Sequence, residues 1–224
     1  MSRCAPCRRI RLSLVLATGL AAASGAVAAA PQAEPPTEKG TRQAAVELLG
    51  RLPLLFVPEQ VSADGDMGFV VRGRGANIWL TDRGMAYQLR STRADGPSAP
   101  KGSWVVSLDL VGATPRRPVG ENPLPTRVSY FKGPRERWRT GLPTYGSVRY
   151  REPWPGVDVV LSGAAEGLRL SFVVRAGADP GAVHLAYRGA SALRLESDGS
   201  LVAETLLGDL RVDEPSAHQD VDGH

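Results

Sequence analysis

The chain has 224 residues, with 27 Lys+Arg against 23 Asp+Glu and a formal net charge of +4. The surplus lies in the first 30 residues, where Arg3, Arg8, Arg9 and Arg11 stand without a single acid, so the remainder balances at 23 against 23. That balance leaves no general basic surface to attract nucleic acid or an anionic membrane.

A basic start, the apolar Ala-rich run "LSLVLATGLAAASGAVAAA" and small residues at Ala26-Val27-Ala28 or Ala28-Ala29-Ala30 predict a secretory signal peptide over residues 1–30. The Arg8-Arg9 pair resembles a twin-arginine signal, but the residues after it fit that pattern poorly. An uncleaved membrane anchor is the competing reading, and the wealth of Ala and Gly over Leu and Ile counts against it. Cys4 and Cys7 lie in the basic region ahead of the apolar run, so their C-x-x-C spacing predicts neither a redox nor a metal site, nor a lipid anchor. After cleavage no disulfide and no membrane insertion are expected, and the protein is secreted, on the cell surface or in the periplasm. It must then rely on a hydrophobic core. Roughly 165 ordered residues suffice, since a domain of about 150 buries near 70% of its unfolded surface.

Residues 31–45 open with "PQAEPPTEKGTR", rich in Pro and charge, and read as a disordered tether. "QAAVELLGRL" (43–52) has a brief helical pattern ending near Gly50. From there the chain reads as strand. "GFVVRG" (68–73) and "ANIWLT" (76–81) meet at Arg74-Gly75, and "MAYQLR" (85–90) follows a turn at 82–84. "STRADGPSAPKG" (91–102) is a surface loop. In "SWVVSLDLVG" (103–112), Val106, Leu108 and Leu110 alternate with Ser107, Asp109 and Val111. "TPRRPVGENPLPT" (114–126) reads as a Pro-rich connection.

The second half continues with "RVSYFKG" (127–133), "GSVRYRE" (146–152), "VDVVLSG" (157–163), "LRLSFVVRAG" (168–177) and "VHLAYRG" (183–189). In "LRLESDGSLVAET" (193–205), Asp198-Gly199 signals a hairpin with a type I′ turn. "LGDLRVDEP" (207–215) adds a strand, and "SAHQDVDGH" reads as the start of another, as though the chain were a piece of something longer. No fixed-period repeat occurs. The expected fold is all-β: one antiparallel β-sandwich-like domain of many short strands over residues 46–224.

Chemistry is sparse. His184 sits in an alternating strand on the solvent side, His218 in a loop and His224 at the last position, with no H-x-x-x-H or H-x-H, so zinc is not expected. No G-x-S-x-G raises a serine for a Ser-His-Asp triad. Glu152, Asp158 and Glu166 are possible members of a paired-carboxylate hydrolase site, although sequence spacing gives no reason to expect the separation such a site requires. Asp64 and Asp66 form a D-x-D in "SADGDMG", but the later calcium ligands are missing and a plain turn explains it. No cofactor is implied.

Two aromatic clusters remain. "GPRERWRTGLPTYG" (133–146) sets Arg135, Arg137 and Arg139 around Trp138, with Tyr145 nearby. It has the parts to stack a base or a sugar, while Arg over Trp is also an ordinary packing device. In "EPWPG", Trp154 stands between Pro153 and Pro155 and before Gly156. A rigid aromatic there is either a platform for a sugar or a plug at the end of the sandwich, and the gain from burying a large ring favours the plug. Trp154, Trp138, Tyr145 and Arg139 are the possible ligand surface.

The order of "LPLLFVPEQ", "FVVRGRGANIWLT", "VSYFKGPRERWRTGLPTYGSVRYREPWPGVDVVLSG", "LRLSFVVRAGADPGAVHLAYRGA", "LRLESDGSLVAET" and "LGDLRVDEPSAHQDVDG" resembles an N-terminal domain of unknown function that precedes SBBP (seven-bladed β-propeller) repeats in bacterial extracellular proteins. The resemblance covers about residues 50–224. Its most specific elements are the aromatic pair in "SYFKG", "WRTGLPTY" and the "WPGVD" turn. One departure is "PEQVSADGD", where the family often has an N-x-G-Q-like element. The resemblance implies a mainly β, exported, non-catalytic accessory domain. It also implies propeller repeats of the same polypeptide as partner, with a cell-surface glycan or protein as the other possibility. A carbohydrate-binding module with an aromatic platform is the alternative.

Overall fold

A computed structural model of the chain describes residues 9–17, 54–61, 65–73, 76–90, 102–164 and 167–220. Two antiparallel sheets lie face to face. The smaller has six strands in the order β11-β6-β5-β4-β3-β2, with β2 at Val57–Gln60, β3 at Met67–Arg72, β4 at Ala76–Leu80, β5 at Gly84–Arg90, β6 at Ser103–Val111 and β11 at His184–Arg188. The larger has nine. β1 (Arg9–Ala17) lies between β10 (Gly167–Val174) and β14 (Leu210–Val212). Outward from β10 run β9 (Val157–Ala164), β8 (Arg139–Trp154) and β7 (Val119–Tyr130), and outward from β14 run β13 (Leu201–Glu204) and β12 (Ala192–Leu195). β15 (Ser216–Asp220) also pairs with β1. The fold is the all-β sandwich that the strand pattern predicts.

Period-two alternation selects the core. Met85, Tyr87 and Leu89 of β5 and Val106, Leu108 and Leu110 of β6 are buried from the smaller sheet. Val148 and Tyr150 of β8, Val157, Val159 and Leu161 of β9, and Leu168, Leu170, Phe172 and Val174 of β10 face them from the larger one. Each large side chain in this layer gains about 1.5–3 kcal/mol from leaving water. The two buried tyrosines need partners for their hydroxyls. Tyr150 donates to the Gly84 carbonyl across the sandwich at 3.1 Å, and Tyr87 donates to Met85 Sδ at 2.9 Å. Gly84 must be small, because a Cβ there would stand 2.2 Å from the Leu108 carbonyl oxygen.

Three local expectations differ from the structure, besides that for His218, which lies in β15 and not in a loop. Residues 114–126 are not merely a connection: β7 begins at Val119 and runs through Pro123 and Pro125. Prolines are tolerated because β7 is an edge strand whose one partner among the described residues is β8, and the register slips between Leu124 and Arg127. Its partner β8 likewise starts at Arg139, well before the expected 146. The Asp198-Gly199 turn is not type I′. Gly199 alone has positive φ (80°), and its N–H donates to the Glu196 carbonyl in a five-residue loop. Asp198 instead uses its carboxylate locally, accepting from Ser200 N at 3.1 Å and Ser200 Oγ at 2.6 Å.

Residues 9–17, within the predicted leader, form β1, which cleavage near residue 30 would remove. The tether, the 43–52 helical pattern, both cysteines, the Arg74-Gly75 turn, Asp64, Glu166, His224 and nearly all of the 91–102 loop lie outside the described residues.

Burial raises the ionisation of the two core tyrosines, Tyr87 and Tyr150, well above the usual value, and that of the half-buried Tyr187 to about 12. In the unfolded chain a tyrosine ionises near 10. The stability these neutral phenols contribute is therefore complete below pH 10 and drains away as pH rises through the folded values. We expect the midpoint of urea unfolding to fall steadily above pH 10. Tyr87 and Tyr150 should ionise only with unfolding, read as a cooperative step in phenolate absorbance. Gradual ionisation of Tyr87 or Tyr150 in folded protein would contradict their burial.

Candidate functional site

The long hairpin β7–β8 carries the residues singled out from the sequence and separates them to its two ends. At one end, β8 finishes at Trp154, and Pro155-Gly156 turns the chain into β9 with Trp154 opposite Val157. Proline fixes φ at the first turn position, and Gly156 takes the positive φ (70°) that the second requires. The register slips between Tyr150 and Trp154, which brings the Trp154 ring inward. Trp154 is 3% exposed, tilts against Phe172 at 6.3 Å and donates its indole N–H to the Val111 carbonyl at 3.0 Å. The ring ties β8 to the end of β6 and leaves no face for a ligand, which answers the choice between platform and plug in favour of the plug.

The same corner brings together two of the candidate acids. Glu152 takes a positive φ (48°), unusual for a residue with a side chain, and its N–H donates to Asp158 Oδ1 at 2.9 Å. Arg149 bridges Asp158 Oδ2 at 3.2 Å and Glu121 Oε1 at 2.7 Å. Arg175 pairs with Glu152 and approaches Asp158 Oδ1 at 3.6 Å. The chain Glu121–Arg149–Asp158–Arg175–Glu152 thus alternates in sign across β7, β8, β9 and the exit of β10. Asp158, nearly buried, accepts from Arg149 and from the Glu152 amide and is ion-paired with Arg175, as an enclosed carboxylate must be. The arrangement is a clamp that holds the strained corner, with both acids committed to guanidinium groups. Among the described residues no group of three or more His, Cys, Asp or Glu could hold a metal, and His184 is exposed with Nδ1 3.2 Å from the Ala182 carbonyl oxygen.

Trp138 stands at the opposite end. A single 3-10 turn at Arg135–Arg137 connects β7 to β8. Trp138 is 40% exposed, its N–H donates to the Gly133 carbonyl at 3.2 Å, and Arg135 lies 5.6 Å from its ring centre. Phe131, 65% exposed, meets Trp138 edge to face at 5.1 Å. Lys132, Arg135 and Arg137 surround the pair with Glu136 the one acid among them, all exposed. Phe131 is the residue that sequence reading missed. It directly follows Tyr130 in "SYFKG", and nothing in that run signals that β7 ends at Tyr130.

Arg139 and Tyr145 do not join this tip. Arg139 donates to the Pro58 carbonyl at 3.0 Å, linking β8 to β2. Tyr145 is half-buried, edge to face with Phe69 at 5.7 Å, and exchanges backbone hydrogen bonds of 3.1 and 3.0 Å with Phe56. Gly120 lies against its ring, where a Cβ would come within 2.7 Å. Beside it, Tyr130 stacks under Arg72 at 4.8 Å, and Arg72 also pairs with Glu59 at 2.6 Å. These contacts fasten the hairpin to the smaller sheet, so the exposed tip is held on a rigid base.

Replacing Trp154 by Ala should cost about 3–5 kcal/mol, the range for removing a large core aromatic. Trp154→Phe should cost less, mainly the lost hydrogen bond of about 0.5–1.5 kcal/mol. Trp138→Ala should stay within about 0.5 kcal/mol of the parent, as surface changes do. Chemical denaturation of the three variants checks the contrast, and equal losses at 138 and 154 would refute the assignment of plug and tip.

No curated protein and no solved structure matches the chain. A family model described as a domain of unknown function (DUF7948) matches residues 56–224, which spans both sheets from Phe56 onward and both ends of the β7–β8 hairpin, and the chain belongs to that family.

Proposed function

We propose that this chain is a non-catalytic accessory domain of an exported protein, and that it acts by presenting the β7–β8 tip to a partner. The observation that supports the reading is the Phe131–Trp138 pair, exposed at the end of a hairpin whose base is clamped by Arg139, Tyr145 and Tyr130. Large aromatics left in water on a rigid support are characteristic of interaction surfaces, where they supply contact area at little entropic cost. A hydrolytic role for Glu152 and Asp158 has less support, because both carboxylates are engaged by Arg175.

The partner we favour is the propeller-type repeat region of the same polypeptide, implied by the sequence resemblance. The domain then serves as a module beside the repeats, secreted or at the cell surface. The second reading, a glycan bound on Trp138, draws on that ring's exposure but must contend with Arg135 over the indole.

Lys132 is the one lysine among the described residues and it sits at the tip. Amine cross-linking of the intact native polypeptide should therefore join Lys132 to the repeat region, and Phe131→Ala with Trp138→Ala should abolish that link. Absence of the link, together with protection of Trp138 from a soluble quencher by dextran or alginate, would replace the protein-partner reading with the glycan one. If neither occurs, both are refuted.

A further inference from the structure

The middle of the larger sheet is closed by β1. It pairs antiparallel with β10 over eight positions, from Ile10 opposite Val174 to Ala17 opposite Gly167. On its other side Leu16 and Ala17 pair with Val212 and Arg211 of β14, and Arg9 to Ser13 pair with Asp220 to Ser216 of β15. The sequence RIRLSLVLA places Ile10, Leu12, Leu14 and Leu16 opposite Val174, Phe172, Leu170 and Leu168, four residues buried in the core. Arg11, Ser13 and Val15 take the intervening register positions.

Without this strand the walls could not close on each other. Neighbouring strands stand about 4.8 Å apart, so β10 and β14 would face each other across roughly twice that distance. Eight residues of β10 would lose their ladder on that side, and the apolar layer beneath Leu168, Leu170, Phe172, Leu210 and Val212 would open to water. Yet residues 9–17 lie inside the segment that export would remove.

We propose that the space between β10 and the β14–β15 side is a strand-acceptor slot. Its occupant after leader removal is an extended segment of a partner polypeptide, running antiparallel to β10 with aliphatic side chains at four alternate positions. β1 itself defines that chemistry: it shows the direction, the register and the spacing that the slot takes. Main-chain bonds to both walls supply affinity, and the alternating aliphatic positions supply selectivity, as in other strand-addition complexes. Proline is excluded from the interior of the occupant, because both of its edges are paired. The vacancy rests on the export reading, while the acceptor chemistry rests on the strand register alone.

The test uses the full chain carrying Leu12→Asp and Leu14→Asp, which expels β1, and a synthetic peptide of residues 9–17 added in trans. Hydrogen exchange of β10 is read with and without peptide. The expected result is fast exchange over residues 168–174 in the variant and recovery with the peptide, while a peptide bearing the same two Asp residues binds at least tenfold more weakly. If the variant loses protection throughout the domain, rescue by the parent peptide still supports the slot, and failure of rescue overturns it. Unchanged protection of β10 in the variant overturns it, as does closure by self-association into a dimer. The mass of the natural secreted product separates the two layers: retention of residues 9–17 refutes export and the vacancy, whereas peptide capture by the variant reports on the slot itself.

Discussion

The two sheets are held together by one apolar layer, with Tyr150, Phe172, Leu161 and Val159 on one side and Tyr87, Leu108 and Val106 on the other. The described residues include no cysteine and, in the way of helix, only two short 3-10 turns, so neither a disulfide nor a packed α-helix relieves that layer of its task. A sandwich core is vulnerable at its ends and edges, where the sheets diverge and water can enter. Much of the polar detail in this protein is found where the sheets meet each other or the chain leaves them. Tyr150 bonds across to Gly84, Trp154 bonds to the end of β6, and Arg139 bonds to β2. Each of these ties one sheet to the other by a side chain that spans the gap.

The β8–β9 corner shows how strain and charge are combined. A two-residue Pro-Gly turn delivers Trp154 to the core only by displacing the register of β8, and that displacement forces Glu152 into a left-handed conformation. Such a conformation persists when its surroundings determine it strongly. The Asp158 carboxylate does so by accepting the Glu152 amide, and Arg149 and Arg175 compensate the charge that this nearly buried acid carries. Three features that would each be unfavourable alone, the left-handed residue, the enclosed carboxylate and the irregular ladder, become mutually supporting. The acids at this corner are paired with arginines, and the exposed aromatics lie at the far end of the same hairpin.

Strand edges are the second theme. β7 tolerates two prolines because, among the described residues, no strand bonds its outer side. β12, at the other edge, is exposed along its whole length, with Arg194 bridging Glu196 and Glu204 over it. Charge and proline both discourage unplanned pairing at an edge. In the centre of the sheet, β1 is paired along both of its sides, with β10 on one and with β14 and β15 on the other.

By itself the sequence determined the all-β class, the strands from β3 through β6 and from β9 through β11, the alternation of β6, and the pairing of rigidity with a large ring at Trp154. Those properties are local: period-two burial, turn residues and proline geometry are written within a few positions of each other. Tertiary structure alone decided the rest. The proline-rich stretch at 119–126 is a strand because β8 supplies its partner, and Glu152 and Asp158 are a clamp because Arg175 reaches them from β10. Trp138 is outside and Trp154 inside although both sit in aromatic–basic or aromatic–proline contexts of similar character. The run at 9–17 reads as a leader in one dimension and as a strand in three, since the same alternating aliphatic residues satisfy either an export apparatus or a sheet. In each case the meaning of the residues depended on which distant backbone lay opposite, and that is information a single stretch of chain does not hold.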